Sequence, residues 1–115
     1  KTIQLLKKNG CSEKDMIACI GPCIKKNSYE VKNDFFNLFK NKNKKNVNFF
    51  TFKKKKIFFD LSKYIKSQFY ENGVKKIDII RKDTFSLENN FFSSRRSKKN
   101  KHNDYGRNIS AIMIK

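Results

Sequence analysis

The residues able to do chemistry gather in two stretches. In the first, Cys23 stands just past Gly21-Pro22, and Tyr29 and Glu30 follow a few residues on. A thiol at a strand–turn junction can serve as a nucleophile or a metal ligand, and it can equally be a small packed side chain. Glu30 can carry a proton or complement a helix dipole; Tyr29 can take part in a site or pack over a strand end. The second stretch, Phe91-Phe92-Ser93-Ser94-Arg95-Arg96, sets two arginines side by side after an aromatic pair. Metal chemistry has little to build on. Cys11, Cys19 and Cys23 form no C-x-x-C pair and match no zinc ribbon or finger, and the one histidine, His102, falls in a polar loop.

Charge adds a second bound. The 115-residue chain carries a formal net charge of +18. Clustered lysine neutralises phosphates and favours polyanion binding. Here the lysines are spread along the chain and far outnumber arginine, whose planar fork suits phosphate and guanine edges. AT-rich codons, which also encode Asn, Ile and Phe, account for the same composition. The length allows one domain with a single modest core. No apolar run approaches the roughly 20 residues that span a bilayer, and no signal peptide is recognisable. Three thiols fit a reducing compartment, so a cytoplasmic protein with no membrane partner is expected. The chain opens on Lys1 rather than Met, as a processed protein or a fragment of a longer one does.

The elements that must position these residues can be read in order. Thr2 to Lys8 reads as the tail of a helix closed by Asn9-Gly10. Met16 to Ile20 is a continuous apolar run, expected as a strand covered on both faces and ended by Gly21-Pro22. From Ser28 to Phe39 the positions Val31, Phe35, Leu38 and Phe39 keep helical spacing, with Ser28 as N-cap and Glu30 in the first turn. Lys40 to Asn48 reads as a solvated Lys/Asn loop. Phe49 to Phe52 and Ile57 to Phe59 are short extended segments joined by a basic turn. Asp60 caps a helix carrying Leu61, Tyr64, Ile65, Gln68 and Phe69, closed by Asn72-Gly73. Ile77 to Ile80 is a strand by its β-branched content, and Lys82-Asp83-Thr84 follows at its C-terminal end. Phe91-Phe92 and Ile109 to Ile114 add extended segments, joined by a polar loop from Ser97 to Tyr105. The sum is an α/β (α+β) layer around a mixed sheet, incomplete at its N-terminal edge.

Several of these motifs recur in one family in the same order. They are Ile20-Gly21-Pro22-Cys23-Ile24 with Ser28-Tyr29-Glu30-Val31, then Phe59-Asp60-Leu61, Asn72-Gly73-Val74 and Asp83-Thr84. Phe91-Phe92-Ser93-Ser94-Arg95-Arg96 and Gly106-Arg107-Asn108 complete the set. On them the chain resembles the laccase-domain proteins of YfiH type, once called multicopper polyphenol oxidases. The resemblance implies the C-terminal part of a single YfiH-like domain across residues 1–115. It implies a purine nucleoside phosphorylase that cleaves adenosine, inosine and methylthioadenosine with phosphate, with adenosine deaminase activity besides. It also implies zinc, or copper, held by two histidines and a cysteine of the N-terminal half, the last in a His-Ala-Gly-Trp-Arg-Gly type motif. None of those ligands has a counterpart here, so no metal ligand is assigned. Within the covered half, Ser28 stands where the family often has cysteine, and Asp83 where a cysteine usually precedes the threonine. Ser94 stands where an aromatic or histidine commonly precedes the arginines.

Phosphorolysis needs an anion site near the anomeric carbon and stabilisation of the leaving purine. An arginine fork holds two phosphate oxygens, so Arg95, Arg96 and Arg107 are the candidates for binding substrate or phosphate. A salt bridge or a carbonyl-capping role is the alternative for each. No catalytic residue is assigned. The implied partners are a purine nucleoside and phosphate; nucleic acid enters only if the chain is a degenerate or truncated remnant kept for its charge.

Overall fold

The computed structural model describes residues 1–102 and 105–113. Along the chain come α1 (Thr2–Lys8), β1 (Ile17–Ile20), β2 (Glu30–Val31), α2 (Asn33–Lys42), β3 (Phe50–Lys53) and β4 (Lys56–Phe59). α3 (Leu61–Glu71), β5 (Lys76–Ile79) and α4 (Ser94–Lys99) follow, with 3₁₀ segments at Lys44–Phe49 and Leu87–Asn89. The fold is α/β with both kinds of pairing: β1 and β5 run parallel, while β2, β4 and β3 form an antiparallel sheet in that order.

The antiparallel sheet grows from a tight hairpin. Lys53 pairs with Lys56, and the two residues between them, Lys54 and Lys55, have φ of 48° and 62°. Both central residues at positive φ define the mirror-image turn that matches strand twist, a turn usually made by Asn-Gly. Lysine there works against its own Cβ. The hairpin persists because its other face is aromatic. Phe50, Ile57 and Phe59 are buried, and Tyr29, Val31, Phe35, Phe36, Phe39, Phe49, Leu61 and Tyr64 pack around them. The Phe59 ring lies 4.8 to 5.8 Å from five other rings, those of Phe50, Phe39, Phe35, Tyr64 and Tyr29. α2 supplies Phe35 and Phe39 one turn apart, stacked at 4.7 Å.

Helix ends follow local chemistry. Asp60 accepts from the Lys63 amide at 2.9 Å and starts α3. Both Asn-Gly pairs close helices with Gly in the left-handed region: the Cys11 amide donates to Leu6 and the Val74 amide to Phe69, each at 3.0 Å. At Gly73 the freedom is steric as well, because a Cβ would sit 2.7 Å from the Glu13 side chain.

The parallel pair is less complete. Ile17 faces Lys76 and Ile20 faces Ile79 in register, and the Ile80 amide extends the ladder to the Ile20 carbonyl at 2.9 Å. Ala18 and Ile20 are buried, whereas Ile17 and Cys19 are exposed. The expectation of a strand covered on both faces therefore fails. Every other residue of β1 is buried, because among the described residues α3 covers one face and nothing covers the other.

Other readings need correction. Glu30 and Val31 belong to a strand, and the helix begins at Asn33, so Ser28 caps nothing and Glu30 is no dipole partner. The reason is cross-strand pairing: Glu30 faces Phe58 and Val31 faces Ile57, which holds both extended. The supposed Lys/Asn loop is structured, with α2 running to Lys42 and the buried Asn46 amide capping the Phe39 carbonyl at 2.8 Å. Residues 94–99, part of which was expected as loop, form α4; Phe91-Phe92 and residues 109–113 carry no strand. Ile114, the end of the expected terminal strand, and Asn103 and Asp104 of the polar loop lie outside the described residues.

Candidate functional site

The site lies beyond the C-terminal ends of β1 and β5, where the backbone stops pairing regularly and side chains take over. Cys23 and Asp83 form an isolated parallel bridge, and the Thr84 amide donates to the Cys23 carbonyl at 3.3 Å. Asp83 ties the two strand ends together. Its carboxylate accepts from the Ser28 hydroxyl at 2.6 Å, the Phe85 amide at 2.9 Å and the Lys25 amide at 3.2 Å. Two of the three positions at which this chain departs from the resembled family, 28 and 83, thus face each other and bond. Lys25 reaches back across the same junction. Its ammonium donates to the Ile80 carbonyl at 3.0 Å and the Ser62 hydroxyl at 3.3 Å, and lies 3.7 Å from the Cys23 sulfur. Cys23 Sγ and Ser62 Oγ are 3.3 Å apart.

α4 sorts the paired arginines. The Ser93 hydroxyl accepts from the Arg96 amide at 3.3 Å, a cap unread in the sequence. Arg96 turns inward: its guanidinium donates to the carbonyls of Phe91 (2.6 Å), Phe85 (2.9 Å), Thr84 (3.0 Å) and Ser86 (3.3 Å). It locks the 84–91 loop onto α4. Arg95 turns outward, lies 5.2 Å from the Tyr29 ring centroid and donates to the Glu30 carbonyl at 2.9 Å. Arg107 is exposed. Its neighbours are structural: the Asn108 amide group brackets the Phe92 backbone, donating at 2.8 Å and accepting at 3.0 Å. A Cβ on Gly106 would meet the Phe92 ring at 2.6 Å. The structure therefore brings two of the family motifs, Phe91–Arg96 and Gly106-Arg107-Asn108, into contact through Phe92, while Arg95 and Arg96 face different ways.

Beside Arg95 runs an open groove of about 1090 Å³. Tyr29, Phe58, Phe85 and Phe92 line it together with Arg95, Lys98 and Lys99. Lys99 Nζ stands 5.6 Å from the Phe85 centroid. Glu30, at its rim, is paired with Lys56 at 2.8 Å. Aromatic faces beside cations suit a planar, electron-rich base joined to an anion. Sequence reading missed Lys25, Ser62 and the lysines of α4. Lys25 carried one usable signal, its place just past a strand end; the others depend on which way a helix faces.

Among the described residues no three His, Cys, Asp or Glu side chains converge. Cys11, Cys19 and His102 are exposed and separate, and Cys23 is engaged with Ser62. These residues do not fit a zinc or copper centre by themselves.

The α/β scaffold thus carries a basic, aromatic groove near the ends of its parallel strand pair. On its sequence the chain belongs to the family described as multi-copper polyphenol oxidoreductase laccase, matched along residues 1–115. It is similar to a purine nucleoside phosphorylase of Rickettsia prowazekii, 36% identical over 104 residues, covering 89% of this chain and 43% of that protein. A purine nucleoside phosphorylase of Rickettsia conorii is 37% identical over 105 residues, with the same coverage of 89% and 43%. The chain thus spans less than half the length of the curated relatives it matches. Among the described residues no helix is long and apolar enough to cross a membrane.

Proposed function

We propose that this chain is the C-terminal part of a purine nucleoside phosphorylase domain of the cytoplasm, acting on inosine, adenosine and methylthioadenosine with phosphate as co-substrate. The observation that carries the reading is the match to two phosphorylases along 89% of the chain. The groove supports it: Arg95, Lys98 and Lys99 offer cations to phosphate, and Phe58, Phe85 and Phe92 offer faces to a purine. In phosphorolysis a phosphate oxygen bonds to the anomeric carbon as the bond to the purine nitrogen breaks, and the purine leaves with the electron pair. Holding phosphate in place removes part of the entropic barrier. Of the three candidate arginines, Arg95 is assigned to phosphate; Arg96 acts as a carbonyl clamp that positions the loop beside it. Zinc or copper, which the family implies, is assigned to histidine and cysteine ligands in the part of the domain that this chain does not match. Adenosine deamination is left to that same part.

The test is release of hypoxanthine from inosine by the complete, zinc-loaded protein, with and without phosphate. Phosphate-dependent release, lost on chelation, is expected. Arg95→Ala raises the KM for phosphate by about tenfold or more, as loss of a charge-assisted bond of ~1.5–3 kcal/mol implies. Deamination is read in the same samples as inosine formed from adenosine. No turnover by the metal-loaded complete protein contradicts the reading. The +18 charge favours a second reading, a remnant that associates with nucleic acid; salt-sensitive RNA binding without turnover supports it.

A further inference from the structure

Two parallel strands alone are a rare arrangement, since parallel sheets occur almost only with both faces covered. β1 pairs with β5, and among the described residues it pairs with no other strand. The two strands treat their uncovered face differently. On β5 the outward residues are Lys76 and Asp78, both exposed and charged. Opposite them on β1 stand Ile17 and Cys19, also exposed and uncharged, with Ile17 at 69%. Natural sheet edges are blunted with lysine or other charges. This chain has lysine almost everywhere, yet it places no charge from Met16 to Ile24. The boundary between wet and dry surface therefore runs between β5 and β1.

The elements next to β1 are also undercovered. α1, which leads into it, buries no residue and exposes Leu5 and Leu6. Ser110 of the terminal segment lies where a Cβ on Gly21 would be 3.1 Å from its hydroxyl, and Ile109, Ile112 and Met113 around it are exposed.

We propose that β1 is an interior strand of a larger sheet, and that its free edge and outer face receive the portion of the family domain that this chain does not match. The relatives are long enough to supply it, since the 104 matched residues are only 43% of one of them. The occupant is a strand pairing along β1 with apolar residues set against Ile17 and Cys19. β5, with its charged outer face, remains the edge.

The inference is tested without reference to catalysis. In a chimera, this chain replaces the matched residues of the Rickettsia prowazekii phosphorylase, and Ile17→Lys is introduced into the chimera and into the isolated chain. The expected result is a strong drop in melting temperature in the chimera and no change in the isolated chain, where Ile17 is already solvated. Amide exchange at 17–20 is expected to slow by at least about 100-fold in the chimera, the protection a buried ladder gives. Equal tolerance of Ile17→Lys in the two settings overturns the proposal. If the chimera does not fold, the isolated chain still decides. A monomer with slowly exchanging 17–20 amides, or a dimer dissolved by Ile17→Lys, overturns it; fast exchange in a monomer supports it.

Discussion

Phe59 in β4 is 1% exposed and Ile17 in β1 is 69% exposed, although both are large apolar residues in strands of four. The difference lies in what each sheet finds within this chain. The antiparallel sheet is built from neighbours in sequence, a hairpin followed at once by α3 and preceded by α2, so its aromatic face closes over itself. The parallel pair joins residues 17–20 to 76–79, and the crossover between them covers one face only. Burial in one region is thus satisfied locally, and in the other it is left open on the β1 side. The groove sits at their junction, with Tyr29 of the closed region beneath Arg95 and Asp83 of the open region beside Ser28.

Substitutions that break this contrast can be ranked. Phe59→Ala removes the ring on which five others converge, and a loss of about 3–5 kcal/mol is expected, seen as a fall in the urea midpoint. Arg96→Ala comes next. Four carbonyls lose a charged donor, and a loss of about 2–3 kcal/mol is expected, with amide exchange rising across 84–91 rather than in the hairpin. Arg96→Lys does not restore it, because a single ammonium cannot reproduce the fork. Ser28→Ala removes one of three donors to Asp83, and a cost of about 1 kcal/mol is expected, read by thermal denaturation. Lys54→Asn with Lys55→Gly sharpens the closed region instead: relieving two positive φ angles raises stability by about 1 kcal/mol.

The smallest effect concerns acid. A backbone hydrogen bond, and then Lys7, hold the Glu13 carboxyl below its usual range. Because its folded value is depressed, its stabilising contribution is complete above the ordinary glutamate range near 4.5 and disappears as acid protonates it. Glu13→Gln makes the melting temperature slightly less sensitive to pH in that window.

Much of the fold was legible where one residue decides locally. Asn9-Gly10, Asn72-Gly73 and Asp60 end or start helices by short-range hydrogen bonds, and those signals survive folding. Ser28 misled because a good N-cap before helical spacing also fits a residue bonded to a distant carboxylate; position 83 is invisible from position 28 in sequence. Val31 kept helical spacing by chance while cross-strand pairing with Ile57 held it extended. The arginine pair was legible as a pair, but which member faces the groove was not, since it depends on the phase of α4. The one-sided burial of β1 was not legible either, because an apolar run looks alike whether its cover is present or not.

Segment-resolved hydrogen exchange on the isolated chain tests the contrast most directly. Amides of 50–59 are expected to exchange slowest and those of 17–20 and 76–79 to exchange fastest among the strands. Equal protection of the two sheets in a monomer would contradict it.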